Sequence, residues 1–186
     1  MSQINNRLGT NGGIEMAIGK EIAMARKRQG HTQEKLSLDI PASRESLAKY
    51  ETNSRHLPKD LHKHISEALD DPQFFFHIWQ EAAGAVSIPF FNGEFVDHHP
   101  TSMKYMVQKE TAEALEQLET VCWFKPPQAL SENEKQEMKK VMHEILDAAA
   151  SMTNLVAVLC DQYDFSMKDV FKYWKMSLRA RRYTDS

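Results

Sequence analysis

Between Thr32 and Pro58 the apolar residues Leu36, Ile40, Leu47 and Tyr50 recur at three-, four- and seven-residue steps. That spacing keeps one side of each of two short helices inward and leaves the other side polar. Thr32 can cap the first helix and Ser43 the second, because a hydroxyl accepts an amide hydrogen that the first helical turn leaves unpaired. Pro41 breaks the pair, since proline lacks an amide hydrogen and pushes the preceding residue out of helical geometry; the first helix therefore ends near Ile40 and the second begins at Arg44. Upstream, Ile18, Ile22 and Ala25 keep helical spacing in a helix expected over Ile14–Gln29 and stopped by Gly30, with Arg26, Lys27 and Arg28 at its C-terminal end favouring the helix dipole. The Asn- and Gly-rich stretch from Ser2 to Gly13 is expected to be a flexible arm. Downstream, Pro58 opens a fourth helix with Leu61, Ile65 and Leu69 on one face. Asp70-Asp71-Pro72 breaks the chain again, and Phe74 to Trp79 is apolar around most of a helix, so something must cover it.

From Gly84 to Pro100 the helical period is lost. Pro89, Gly93 and Pro100 mark an irregular linker with room for a short extended piece at Phe90-Phe91 or Phe95-Val96, and His98 and His99 anchor it. Beyond it Met103, Val107, Leu115 and Leu118 form an interrupted stripe beside Glu110, Glu113, Glu116 and Glu119, ended by Pro126-Pro127. Ser131 and Glu134 make a capping box for a long helix. In that helix Val141, Ile145, Ala148, Met152, Leu155 and Leu159 alternate four- and three-residue steps, as in a coiled-coil seam, and Met138, Met142, Leu146 and Val156 widen it toward a bundle or self-association surface. Ser166 starts a last helix bearing Val170, Phe171, Trp174 and Leu178, with Lys168, Lys172, Lys175, Arg179, Arg181 and Arg182 as a cationic end, by default solvated and alternatively in reach of DNA phosphates. The expected architecture is all-α: a five-helix domain over residues 14–83, a linker over 84–100, and a helical dimerisation or regulatory domain over 101–186.

The ordered series Thr32-Gln33-Glu34, Leu36, Ser43-Arg44, Leu47, Lys49-Tyr50-Glu51, Arg55 and Pro58, with Ile18-Gly19-Lys20 and Arg26-Lys27-Arg28 before it and Leu61, Ile65 and Ala68-Leu69 after it, resembles the helix-turn-helix domain of the Xre/Cro/CI family of bacterial and phage regulators. Two positions depart from the family. Pro41 stands where the turn usually has Gly, so the turn must be built without a positive φ, and Thr52-Asn53 stands where Asn-Gly is common. The resemblance implies a repressor-like domain that places its second helix in the major groove of double-stranded DNA. Arg44 and Glu45 would face base edges, Ser46 and Ala48 would let the backbone approach, and Gln33, Lys49 and Arg55 would meet phosphates, with Ser43 and Asn53 at the two ends of the helix.

Composition narrows the alternatives. With 186 residues, 41% hydrophobic and 26% charged, the chain is long enough for one or two ordinary globular domains. A net charge of −3 excludes a histone-like non-specific binder, so DNA affinity must come from locally placed cations. Its apolar runs are too short to span a bilayer and the N-terminus does not read as a secretory signal, which predicts a cytoplasmic protein without membrane contact. Cys122 and Cys160 are expected as buried free thiols. No catalytic residue, cofactor or metal site is expected, because phosphate loops, nucleophile motifs and spaced ligands are missing and His98-His99 lacks a third ligand. The expected function is sequence-specific transcription regulation, by repression from an inverted-repeat operator bound as a homodimer. The alternatives are an antitoxin-like or anti-repressor protein acting through protein contacts of its C-terminal domain, or a domain over 101–186 that senses a protein or small-molecule effector.

Overall fold

A computed structural model describes residues 11–185, with side chains from Ile18 onward. The described residues are all-helical: α1 (Asn11–Arg28), α2 (Gln33–Asp39), α3 (Arg44–Glu51), α4 (Lys59–Leu69), α5 (Pro72–Ala83), α6 (Pro100–Leu118), α7 (Glu132–Gln162) and α8 (Met167–Ala180), with one 3-10 turn at Pro127–Ala129. The expected arm falls outside the described residues except for positions 11–13, which already belong to α1. The chain divides into two compact units, Met1–Ser87 with Ser166–Ser186, and Ile88–Phe165.

In the first unit α1 to α5 close around Ile22, Leu36, Leu47, Ile65 and Phe74, all fully buried. The local signals act as their chemistry requires. Thr32 Oγ1 accepts from Lys35 N at 3.0 Å and Ser43 Oγ from Ser46 N at 3.2 Å, so each short helix has a satisfied first turn. Between them Ile40 is extended, at φ −127 and ψ 153, and its carbonyl accepts from Ala42 N at 2.8 Å, which carries the chain around Pro41 without a left-handed residue. Gly19 is where α1 meets the end of α3. A Cβ there would lie 2.2 Å from the Tyr50 carbonyl oxygen and 2.3 Å from Asn53 Oδ1, so only glycine allows this approach.

Two of the three consecutive cations at the end of α1 turn inward to long-range carboxylates. Arg26 grips Glu51, and Arg28 donates to both oxygens of Asp71 at 2.8 and 2.7 Å. Asp71 is 1% exposed and also caps α5, accepting from Phe74 N at 2.8 Å, so one carboxylate ties α1 to the start of α5. The Phe74–Trp79 run is partly covered: Phe74 and Phe76 are buried and Trp79 remains 41% exposed.

Helix α8 belongs to this unit, not to the C-terminal domain expected from sequence. Asp70, left-handed at φ 46, accepts from the Ser166 hydroxyl and, at 3.0 Å, from Lys168 N, while Lys168 Nζ donates to the Glu67 carbonyl at 3.2 Å. The turn after α4 thus supplies the N-terminal amides of α8 with an acceptor, a contact that spans 98 positions.

In the second unit α6 and α7 pack side by side. Ser131 and Glu134 form the expected capping box, and Lys125 Nζ adds two bonds to the Glu134 carboxylate at 2.7 and 2.8 Å. Lys125 first, then Ser131, hold that carboxyl down at about 2. The segment read as a linker is anchored here from Ile88 on. The buried Asn154 side chain accepts from Phe91 N at 2.8 Å and donates to the Pro89 carbonyl at 3.0 Å, replacing backbone partners that an irregular segment cannot supply itself. His98 Nε2 lies 2.6 Å from the Phe91 carbonyl, and His99 Nδ1 accepts from Thr101 N at 3.2 Å to cap α6. Both histidines are therefore structural anchors of this segment. Of the cysteines, Cys160 is a buried free thiol, whereas Cys122 is exposed, contrary to expectation, because it lies past the end of α6.

Candidate nucleic-acid interface

The outward face of α3 follows from its core contacts. Leu47, Tyr50 and Glu51 are buried, so helical spacing turns Glu45 and Lys49 away from the unit, leaves Ala48 at the edge, and exposes Arg44 only because it opens the helix. Ser43, Arg44, Glu45, Lys49 and Arg55 are exposed, and Ser46 and Ala48 are half-buried. Ala48 is flanked by longer side chains, which leaves the α3 backbone approachable. Glu45 is the acid of the group. Its own backbone N–H first, then the Ser43 hydroxyl and the nearby Arg44 and Lys49 charges, hold its carboxyl below the usual range. It is therefore an ionised acceptor at neutral pH. Beyond the helix, Ser54 N and Arg55 N both close on the Lys49 carbonyl, at 2.9 and 3.2 Å, and the Arg55 guanidinium sits 5.8 Å from the Tyr50 ring centroid. Arg55 is thus held beside the C-terminal end of α3.

Gln33 and Asn53 are placed differently from the other candidates. Gln33 Nε2 donates to Glu51 Oε2 at 2.9 Å, so its amide joins the Arg26–Glu51 pair instead of reaching outward. Asn53, left-handed at φ 55, lays its side chain against α1 at Gly19. Both are structural supports of α3 in this conformation. The sequence reading missed Leu38, 82% exposed on α2; its signal is that it falls two residues after Leu36 and so off the buried face.

The six residues expected for dimerisation straddle an edge. Val141 and Ala148 are buried, Leu155 and Leu159 are half-buried, and Ile145 and Met152 are exposed. Elsewhere in the second unit Glu110, Glu144 and Asp147 bring carboxylate oxygens within 4.8 Å of one another, a like-charged and partly exposed surface cluster that sequence spacing did not indicate. Among the described residues no helix is long and apolar enough to cross a membrane.

Compared with protein-family models, curated proteins and solved structures, the chain matches none.

Proposed function

We propose that this chain is a cytoplasmic, sequence-specific transcription regulator of repressor type that binds an inverted repeat in double-stranded DNA as a homodimer. The observation that carries the proposal is the start and outward face of α3, where Arg44, Glu45 and Lys49 are exposed around a half-buried Ala48 while Leu47, Tyr50 and Glu51 fix the helix from behind. An α-helix fits the major groove. There Arg44 donates two parallel bonds to a guanine edge and Glu45 accepts from a cytosine amine, each good pair contributing about 1–3 kcal/mol of discrimination. Lys49 and Arg55 neutralise phosphates and set register without reading sequence. The likeness of residues 18–71 to the Xre/Cro/CI helix-turn-helix adds its support to the same reading.

Selection of bound sites from random duplex DNA tests this. The expected product is an inverted repeat whose half-sites lie about 34 Å apart or a multiple of it. Recovery of no enriched sequence would refute it.

A second reading rests on α8. Val170, Tyr173 and Trp174 are exposed along one side of α8, which suits a protein partner more than solvent. Under this antitoxin-like or anti-repressor reading, site selection fails and a stoichiometric protein co-purifies with the chain through α8.

A further inference from the structure

Between Ser166 and Arg182 the sequence holds six cations, Lys168, Lys172, Lys175, Arg179, Arg181 and Arg182, against the single carboxylate of Asp169, in a chain of net charge −3. Four of the six share one side of α8. Lys168, Lys172, Lys175 and Arg179 follow steps of four, three and four, which at 3.6 residues per turn confines them to about 60° of the helix circumference. No other residue of α8 falls in that arc, so the stripe is cationic at every position for about 16 Å. All four residues are exposed. Lys168 Nζ turns back to the Glu67 carbonyl at 3.2 Å, whereas Lys172, Lys175 and Arg179 enter no ion pair among the described residues.

Other helices of the chain place their surface lysines differently. Lys63 meets Glu67, Lys109 meets Glu113, Lys135 meets Glu132 and Lys140 meets Glu137, in each case a carboxylate three or four residues away. Along the α8 stripe those spacings join cation to cation, and Asp169 lies outside it. Like charges so spaced repel, and Lys168, in the first turn, also opposes the helix dipole. A polyanion laid along the row relieves both costs.

We propose that this stripe binds the phosphate backbone of duplex DNA, without regard to sequence. The choice of polymer rests on the DNA reading of α3, which belongs to the same compact unit as α8. Each DNA strand carries one phosphate per about 3.4 Å of helix axis, so the row is as long as about five phosphates. Lysine is depleted from the cores of protein interfaces, and the arc holds no apolar side chain to anchor a protein partner. A bilayer fits no better. The exposed apolar residues Val170, Tyr173, Trp174 and Met176 centre on the side of α8 opposite the row, so a bilayer that took them in would leave the row facing water.

Binding of the intact chain to a random-sequence duplex, followed by fluorescence anisotropy between about 50 and 200 mM salt, tests this. Lys172→Gln, Lys175→Gln and Arg179→Gln together should lower the salt slope by about 2 to 3 and weaken binding at least tenfold at the low-salt end. Lys172→Arg, Lys175→Arg and Arg179→Lys together keep the charges and should keep the slope. Lys135→Gln, Lys139→Gln and Lys140→Gln remove the same net charge from exposed positions of α7 and should leave the slope unchanged. All these side chains are exposed, so circular dichroism should stay that of the unsubstituted protein. No binding to the random duplex, an unchanged slope in the α8 Gln variant, or an equal fall in the α7 variant would overturn the proposal. Pelleting with phosphatidylserine vesicles that needs the three α8 cations, while the DNA slope does not, would assign the stripe to a membrane instead. A selected operator with a slope indifferent to α8 sinks this proposal alone; failed site selection with an α8-dependent slope sinks the α3 reading alone.

Discussion

Arg26 and Glu51 form a two-point ion pair, Nε to Oε1 at 2.6 Å and the second guanidinium nitrogen to Oε2 at 3.0 Å, that joins the end of α1 to the end of α3. Arg26 also donates to the His31 carbonyl at 2.7 Å, and Gln33 adds a third donor to Glu51, so every charge in the group has a partner. Arg26 is held protonated above its ordinary value, through the Glu51 hydrogen bond before any other cause. The pair sets the tilt of α3, and with it the direction in which Arg44 and Lys49 point.

Breaking that pair from one side leaves a charge without its partner where the side chains are only 12% and 5% exposed. Arg26→Met or Glu51→Met should each cost about 3–5 kcal/mol in urea unfolding, whereas the double replacement should recover much of the loss, since an apolar pair needs no desolvation. Additive losses would show that each residue acts separately.

Gly19→Ala should cost about 1–3 kcal/mol, although alanine normally favours a helix interior. The added methyl meets the Tyr50 backbone carbonyl, which cannot yield as the Asn53 side-chain amide beside it can. Thermal unfolding checks this, and a neutral or stabilising result would mean that α1 and α3 are free to separate.

What the sequence made legible was local. Thr32, Ser43 and Ser131 cap helices within three residues, so their chemistry is readable from neighbours alone. Pro41 was readable in the same way. The partners of Arg26 and Arg28, at separations of 25 and 43 positions, were not. A run of three cations at a helix end looks the same whether it serves the dipole or two buried carboxylates. Asn154 gave no signal either, because its role depends on a segment 63 positions earlier that has no period of its own. On α7 the expected stripe mixes the buried Val141 and Ala148 with the exposed Ile145 and Met152, a division that three-four spacing alone does not reveal. The return of α8 to the first unit depends on a left-handed Asp70, which no apolar pattern predicts.

If α3 reads bases, Arg44 and Lys49 should differ in kind. Arg44→Ala should cost about 1–3 kcal/mol at the preferred site and relax base preference at one position. Lys49→Ala should weaken selected and random duplexes alike and lower the salt slope of binding by about 1. Equal loss on both kinds of DNA for Arg44→Ala would remove it from base recognition.

Stability of the first unit should fall as the medium is acidified from pH 7.5 to 5.5. His31 and His62 are both held below the ordinary histidine range. Burial is the first cause in each; Lys35 and Arg26 add to it at His31, and Lys59 and His56 at His62, against the opposing pull of Asp39, and of Glu81 and Asp60. A lowered value means that the unfolded chain takes up these protons more readily than the folded one. The folded state is therefore favoured fully above about pH 6.5, the unfolded value, and loses ground as pH drops below it. The carboxylates with lowered values, Glu45, Asp97 and Glu134, act in the same sense but only as pH falls below about 4.5, so the window isolates the histidines. The urea midpoint should accordingly be lower at pH 5.5 than at 7.5, and the His31→Gln, His62→Gln double variant should flatten the difference. A midpoint that stays constant in the unsubstituted protein, or a slope that survives in the double variant, would assign the acid sensitivity elsewhere.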